Sequence, residues 1–135
     1  MFADSSFWIA LLNPRDNLHA TAEAAYKGLG THRLITTEMV LAEVFNGLAD
    51  KGLHIRTAVV KLERSLRQRP EITIIPQTSR DFRDAALRYA ERSDQQWSIT
   101  DCASFITMDR EGIREALTYD RHFQQAGFEA LLRDN

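Results

Sequence analysis

Short apolar runs of strand character alternate along this chain with longer segments in which apolar residues recur every three or four positions. The strand-like runs are Met1–Ala3, Leu34–Ile35, Ile72–Ile75, Ala116–Tyr119 and Phe128–Leu131. The helical spacing covers Ser6–Leu12, Ala20–Leu29, Glu38–Ala49, Ile55–Arg69, Ser79–Arg92 and Asp101–Arg110. Strands that alternate with helices predict an α/β fold, with a mostly parallel sheet of about four or five short strands flanked by helices.

The same periodicity predicts which helix faces are buried. One expected buried face comprises Phe82, Ala85, Ala86, Tyr89 and Ala90, and another comprises Val40, Leu41, Val44, Phe45 and Leu48. The first helix has more apolar residues than one face needs, namely Phe7, Trp8, Ile9, Leu11 and Leu12. Its Trp8 is therefore either a core residue or part of a surface for a partner.

Composition narrows the class of protein. The 135 residues fit one domain spanning residues 1–135, and 44% hydrophobic with 27% charged residues is typical of a globular chain. The net charge of −2 comes from 17 basic and 19 acidic side chains, so a bound polyanion would need local cations or a metal. The single cysteine, Cys102, excludes an intrachain disulfide and is most simply a core residue. Without a membrane-length apolar run or a secretory signal, we expect a cytoplasmic protein.

Two strand-like runs at opposite ends of the chain both lead into an aspartate. Asp4 follows "MFA" and Asp120 follows "ALTY". If these strands are parallel neighbours, both acids lie beyond the carboxyl ends of the strands, where α/β sheets gather ligands. The alternative is that each aspartate is only a helix N-cap or a turn residue.

Two further acids lie in helical segments. In "WSITDCASF", Ser98 as N-cap and Asp101 three residues later form a capping box, and the helix dipole also keeps Asp101 ionised. In "TTEMVLAEVFNGL", Glu38 falls in the first turn and has a structural role. Glu43 lies away from the apolar stripe, so spacing alone favours a solvated side chain, although Asn46 could hydrogen-bond to it.

Four stretches together resemble a PIN domain, and most closely the VapC-type toxins of bacterial and archaeal toxin–antitoxin pairs. These stretches are "MFADSSFWIALL", "TTEMVLAEVFNGL", "WSITDCASF" and "ALTYDRHFQQAGF", and they cover nearly the whole chain in order. The resemblance implies that Asp4, Glu43, Asp101 and Asp120 line one metal site. It also implies supporting roles for Ser6, Thr100 and Thr118, with Ser6 at a position that is often Asn and Tyr119 where smaller residues are frequent.

The implied chemistry is metal-dependent hydrolysis of RNA phosphodiester bonds. Carboxylate oxygens suit Mg²⁺ or Mn²⁺ rather than zinc. Asp4 and Asp120 are expected as direct ligands, Glu43 as a direct or water-mediated ligand, and Asp101 as the carboxylate that orients or deprotonates water. The four histidines, His19, His32, His54 and His122, show no helical metal-binding pair and are interpreted as surface or packing residues. Four arginines are tentative RNA-binding residues: Arg15, Arg110, Arg114 and Arg121.

The resemblance further implies a small cognate antitoxin that inhibits the protein, and a homodimer. Three other functions are kept open. A noncatalytic PIN module that binds RNA or protein is disfavoured because all four acids are present, and a nuclease of RNA maturation or decay would share the chemistry. A phosphoacceptor domain of the receiver type would need paired acids after the first strand and a late lysine, whereas "MFADSS" has one acid and the last lysine is Lys61.

Overall fold

The computed structural model describes residues 1–133 and contains one parallel sheet with five strands. The strands are β1 (Phe2–Ala3), β2 (Leu34–Thr37), β3 (Ile72–Ile75), β4 (Glu115–Leu117) and β5 (Glu129–Ala130). Their order across the sheet is β3-β2-β1-β4-β5. This confirms the predicted α/β fold with a parallel sheet. The predicted boundary of a single domain stays a prediction, because its last two positions, Asp134 and Asn135, lie outside the described residues.

Within residues 1–133, seven helices connect and flank these strands. They are α1 (Ser5–Leu12), α2 (His19–Gly28), α3 (Glu38–Gly47), α4 (Leu53–Gln68), α5 (Ser79–Glu91), α6 (Ile99–Glu111) and α7 (Arg121–Gln125). The first six match the predicted helical segments to within a few residues at either end. Periodicity missed α7 because five residues are too few for an apolar spacing to repeat.

The central strand β1 determines where the acids meet. Phe2 pairs with Ile35 of β2 on one side and with Ala116 of β4 on the other, and Ala3 pairs with Leu117. Both residues of β1 are fully buried, as expected for a strand that is covered on both faces. Because β1 and β4 are parallel neighbours in this register, the residues that follow them emerge together at the same edge of the sheet.

Helix α1 is embedded in the core. Phe7 and Trp8 are fully buried, while Ile9 packs against the core with its side chain partly covered. A Cβ atom on Gly47 would lie 3.1 Å from Cδ1 of Ile9, so a glycine lets α3 approach α1 closely. Trp8 is therefore a core residue, and the suggestion that α1 offers spare apolar surface to a partner is wrong.

The predicted buried face of α5 is also wrong. Of its five residues only Ala85 is buried, whereas Phe82 and Tyr89 are 49% and 56% exposed. Helix α5 packs mainly against α6, to which it is also tied by an ion pair of 3.0 Å between Asp81 and Arg110. Periodicity identified residues that share a helix face, but no other described element covers that face. Phe45 of α3, at 39% exposure, is a similar and smaller error.

Three smaller predictions concern Glu38, Cys102 and membrane insertion. Glu38 accepts a hydrogen bond from the backbone N–H of Gln77 at 2.8 Å and pairs with Arg67, which is a structural role as predicted. Cys102 is fully buried, and burial raises the pKa of its thiol, as for a core residue. Within residues 1–133, no helix combines the length and apolar character needed to cross a membrane.

Candidate active site

Asp4 lies at the carboxyl end of β1, beside the end of β4. Its backbone N–H donates to the carbonyl of Leu117 at 3.2 Å, and its Oδ2 accepts from the hydroxyl of Thr118 at 2.8 Å. Asp4 occupies the N-cap position of α1, yet its side chain makes no capping hydrogen bond. The carboxylate is only 3% exposed and is held by side chains instead. The interpretation of Asp4 as an ordinary N-cap is therefore incorrect.

Glu43 reaches Asp4 through a serine. The hydroxyl of Ser5 donates to Oε1 of Glu43 and lies 3.4 Å from Oδ1 of Asp4. Glu43 is half-buried, so the solvated side chain favoured by spacing is wrong. Its partner comes from α1, whereas the expected partner was Asn46 on its own helix. We refer to Asp4 and Glu43 as the inner pair.

A second group of side chains lies at the start of α6 and α7. Nδ1 of His122 is 2.9 Å from Oδ2 of Asp101 and 3.4 Å from Oδ1 of Asp120. Each of the three residues offers a ligand atom within 4.8 Å of the other two. We refer to Asp101, Asp120 and His122 as the outer cluster.

Both aspartates of the outer cluster also stabilise helix starts. Asp101 forms the predicted capping box with Ser98: each residue's side chain accepts from the other's backbone N–H at 3.0 Å. Asp120 is the N-cap of α7 and accepts from the N–H of His122 at 2.9 Å. The structural and functional interpretations of these two acids are thus compatible.

Electrostatics connect the two groups. Burial raises the pKa of Asp4 from its usual 3.8 to about 6; the Thr118 hydrogen bond opposes this rise, and the charges of Asp101 and Glu43 add to it. Burial likewise raises the pKa of Asp101, against the hydrogen bonds from Ser98 and His122, and the charge of Asp120 adds to that rise. The acids therefore form a continuous series in which each carboxylate disfavours ionisation of its neighbour.

This arrangement fits a hard divalent cation. Carboxylates that are buried together are costly when ionised, and a bound cation removes both the repulsion and part of the desolvation cost. The donors are mainly carboxylate oxygens, the ligand type preferred by Mg²⁺ and Mn²⁺. His122 is placed to hydrogen-bond to Asp101, as imidazoles commonly do beside metal ligands.

The predicted supporting residues divide into two kinds. The hydroxyl of Ser6 donates to Oδ2 of Asp4 at 3.2 Å, lies 3.2 Å from the hydroxyl of Thr118, and accepts from the N–H of Tyr119 at 3.1 Å. Thr118 also accepts from the N–H of Asp120 at 3.0 Å, so it links both acids at the strand ends. Thr100 is buried in the first turn of α6, but its hydroxyl takes no part in the contacts among these side chains within residues 1–133.

The four arginines lie in different parts of the molecule. Arg15 is exposed in the loop after α1, and Arg121 is exposed directly beside Asp120. Arg110 lies nine residues beyond Asp101 on α6, about 13 Å along the helix axis, and pairs with Asp81. Arg114 precedes β4 whereas Asp120 follows it, and Arg114 donates to the carbonyl of Gly127 at 2.6 Å. Arg110 and Arg114 therefore have structural contacts of their own, and the assignment of the four arginines to RNA binding stays a prediction.

Sequence reasoning missed three residues around the site. The contacts of Ser5 and His122 are not visible in the sequence, because Glu43 is 38 residues from Ser5 and Asp101 is 21 residues from His122. A signal for His122 was present, since it follows Asp120 by two residues in "YDRH". Arg133 donates to the carbonyl of Tyr119 at 2.9 Å, and no sequence pattern points to this contact.

Comparison with known proteins identifies the family of this chain. A model of the PIN domain family matches residues 1–129. The chain belongs to the PIN domain family. This confirms the family resemblance, and the residues that carry it include both strand ends and both acid-bearing helices.

Relatives of this PIN domain include a ribosomal RNA nuclease. The chain is 29% identical over 132 residues to "23S rRNA-specific endonuclease VapC20" of Mycobacterium tuberculosis, and the match covers 95% of each chain. The crystal structure of that organism's VapC20, described as a "Sarcin-Ricin loop cleaving toxin", superposes with a TM-score of 0.84 at 27% identity over 94% of this chain and 95% of that one. "FitAcB from Neisseria gonorrhoeae" shares the fold, with a TM-score of 0.64 at 19% identity over 96% and 94%.

Proposed function

We propose that this PIN domain is a ribonuclease that depends on Mg²⁺ or Mn²⁺ and acts as the toxin of a toxin–antitoxin pair. The observation that carries the proposal is the junction of β1 and β4, where buried Asp4 is in electrostatic contact with Glu43 and Asp101. The relative that cleaves 23S rRNA supports RNA as the substrate.

The cation would be held by the inner pair and by the two aspartates of the outer cluster. When bound, it supplies charge stabilisation for the attacked phosphate and lowers the pKa of a water molecule. Ser6 and Thr118 orient Asp4 through hydrogen bonds to Oδ2. Ser5 holds Glu43 toward the same centre.

Asp101 is the proposed proton acceptor. Its Oδ2 is engaged by the N–H of Ser98 and by His122, and these two contacts fix the plane of the carboxylate. Within residues 1–133, Oδ1 has no hydrogen-bond partner, so it is the oxygen that takes a proton from the attacking water. A carboxylate oriented in this way meets the geometric requirement for a general base.

Arg15 and Arg121 are the proposed phosphate contacts among the four arginines. Both are exposed; Arg121 follows Asp120, and Arg15 lines a hollow together with Tyr119. Neutralising either one is expected to reduce the salt dependence of RNA affinity, because fewer counterions are then released on binding. Replacing Arg114, which is bound to Gly127, serves as the matched control and is expected to leave that slope unchanged. If the salt dependence of RNA affinity in the Arg15 and Arg121 variants equals that of the wild type, neither arginine contacts phosphate.

The activity is tested with purified protein and 23S rRNA, followed by RNA more broadly. Cleavage is expected with Mg²⁺ or Mn²⁺, and none with EDTA. RNA end mapping after brief induction, beside an Asp4→Asn control, then locates the cut. Binding of RNA without cleavage under every metal condition would favour the noncatalytic PIN module instead. Cleavage without growth inhibition would favour a nuclease of RNA maturation or decay.

A small antitoxin and a second copy of the chain are the proposed protein partners. Exposed apolar residues between α3 and α4 support a protein partner: Phe45, Leu53 and Val60 line a hollow of about 460 Å³. Coexpression with the neighbouring small open reading frame should give a complex without nuclease activity. The mass of the isolated protein in solution tests the homodimer, and a monomer at every concentration would exclude it.

A further inference from the structure

An exposed aromatic residue, Tyr119, directly precedes Asp120 of the candidate site. Tyr119 lies between Thr118, which hydrogen-bonds to Asp4, and Asp120 of the outer cluster. Neighbouring Cα atoms are about 3.8 Å apart, so the ring is attached almost at the reaction centre. It remains 44% exposed, although the core of the domain is closely packed nearby.

Hydrogen bonds on both sides hold the backbone of Tyr119, and Arg133 packs against its ring. The N–H of Tyr119 donates to the hydroxyl of Ser6 at 3.1 Å, and its carbonyl accepts from Nη1 of Arg133 at 2.9 Å. The guanidinium carbon of Arg133 also lies 5.3 Å from the ring centroid, a cation–π distance. A ring that is held in place before a ligand arrives loses little conformational freedom on binding.

The exposed part of the ring lines a hollow of about 450 Å³ beside the loop between α1 and α2. That volume falls within the range of sites for small organic groups. Other lining residues are Asn13, Arg15, Asp16, Asn17 and Leu18. Oδ1 of Asn13 and Oδ1 of Asp16 accept from backbone N–H groups at 3.1 and 2.9 Å, which shapes the loop. Within residues 1–133, the amide nitrogen of Asn13 and the exposed side chain of Asn17 have no hydrogen-bond partner and can contact a ligand.

We infer that this hollow binds one nucleobase of the RNA, stacked on Tyr119, and so contributes to the choice of cleavage site. The inference rests on the proposed ribonuclease function. Sequence-specific recognition of single-stranded RNA commonly combines an aromatic platform with polar groups that contact base edges. The hollow provides this combination: it is lined by the ring of Tyr119, the amide side chains of Asn13 and Asn17, and Arg15.

The first test is kinetic. Stacking on one aromatic side chain corresponds to about 5- to 100-fold in affinity. Tyr119→Ala is therefore expected to raise KM by that factor for an RNA with the mapped cleavage site, with a smaller change in kcat. Tyr119→Phe keeps the ring and is expected to recover most of the loss. Tyr89→Ala removes an equally exposed tyrosine from α5 and should leave KM unchanged.

RNAs with an abasic residue at single positions around the cut identify the base. At one position, the difference between wild type and Tyr119→Ala should disappear, because the stacking partner is absent. An unchanged KM for Tyr119→Ala, or a loss that persists equally for every abasic RNA, would overturn the inference. The stabilisation of each variant by Mn²⁺ is measured in parallel, and an unchanged shift in Tm shows that the acid site is intact.

Binding in EDTA separates this inference from the proposed nuclease activity. RNAs with 2-aminopurine at one position at a time are mixed with each protein, since stacking quenches the fluorescence of that base. We expect quenching at one position by the wild type and its loss in Tyr119→Ala. Quenching without any cleavage would refute the nuclease and leave the nucleobase site standing, whereas cleavage without position-specific quenching would refute the site alone.

Discussion

The inner pair and the outer cluster consist of similar side chains but have different structural roles in the fold. Asp101 and Asp120 each accept backbone hydrogen bonds at a helix start, so they stabilise the domain even without a ligand. Asp4 occupies an N-cap position without capping, and its carboxylate is enclosed by hydroxyl groups. Its burial raises the pKa to about 6.

This difference indicates which acids are diagnostic of function. The outer aspartates would be retained in a domain that had lost its activity, because α6 and α7 need them. Asp4 and Glu43 have no comparable structural task among the described residues, and the ionised form of buried Asp4 destabilises the fold. The inner pair is therefore the part of the site that only a bound cation explains.

Asp4→Asn should have the largest effect. It removes the most buried carboxylate of the site, so we expect cleavage to fall by about 10³-fold or more. The folded state should be kept, because the amide oxygen of asparagine still accepts from Thr118. In EDTA at pH 7 the variant should have a Tm equal to or above that of the wild type, and Mn²⁺ should no longer raise it.

Asp109→Asn is the matched control for this prediction. Asp109 is a half-exposed aspartate at the far end of α6, 3.8 Å from Arg88. Its replacement should leave both cleavage and the Mn²⁺ shift in Tm unchanged. Undiminished activity in Asp4→Asn would refute the assignment of the inner pair.

Ser5→Ala should have the next largest effect. The variant removes the hydroxyl that hydrogen-bonds to Glu43 and lies beside Asp4. Loss of a group that orients a metal-site residue typically costs about 10- to 100-fold in activity or metal affinity. Titration with Mn²⁺, followed by Tm and by cleavage rate, measures both quantities. Ser104→Ala is the control, because the buried hydroxyl of Ser104 has no hydrogen-bond partner within residues 1–133. If the two variants behave alike, the bridge through Ser5 has no functional role.

The pH dependence of metal binding should follow Asp4. The fold raises the pKa of Asp4 from 3.8 to about 6, so the stability that Asp4 contributes in EDTA is fully present below pH 3.8 and declines as the pH rises to about 6. The decline is on the order of 3 kcal/mol. Protons and Mn²⁺ compete for the carboxylate of Asp4. The affinity for Mn²⁺ should therefore fall about tenfold for each pH unit below pH 6. Calorimetric titrations of the wild type between pH 5 and pH 8 measure this slope, and Asp109→Asn should keep it. An Mn²⁺ affinity that does not change between pH 5 and pH 6 would contradict the assignment of Asp4.

His122→Ala should have the smallest effect of the four. It removes a hydrogen bond to Asp101, while the N–H of Ser98 still orients that carboxylate. We expect a loss of activity of up to about tenfold. The apparent pKa of the acidic limb of the pH–rate profile should rise, because the hydrogen bond from His122 lowers the pKa of Asp101. His54→Ala, at an exposed position in α4, is the control. A loss as large as that of Asp4→Asn would instead make His122 a direct participant.

Much of this site could be predicted because it depends on strand ends. Asp4 and Asp120 follow short apolar strands, and parallel neighbours bring such residues to one edge. Periodicity could not predict the environment of Glu43. A position away from the apolar stripe of a helix carries no information about which neighbouring helix its side chain contacts. Only the family resemblance identified it, and α1 supplies the contact through Ser5.

The predictions that failed concern helix faces. The apolar face of α5 was located correctly along the chain, but what covers a helix face depends on the whole fold. No described element covers Phe82 and Tyr89, and Phe45 of α3 is likewise exposed. A local sequence pattern predicts which residues share a helix face or end a strand. Tertiary packing determines which other elements contact those residues.

The contact between Ser6 and Thr118 joins the two ends of the polypeptide, because β1 lies between β2 and β4 in the sheet. A nascent chain that has not yet emerged from the ribosome beyond Arg114 has an unpaired edge where Asp4 should be held. The candidate site therefore stays incomplete until β4 has been synthesised and has paired with β1. A folding intermediate in which β1 pairs with β2 alone would lack the hydrogen bond from Thr118 to Asp4.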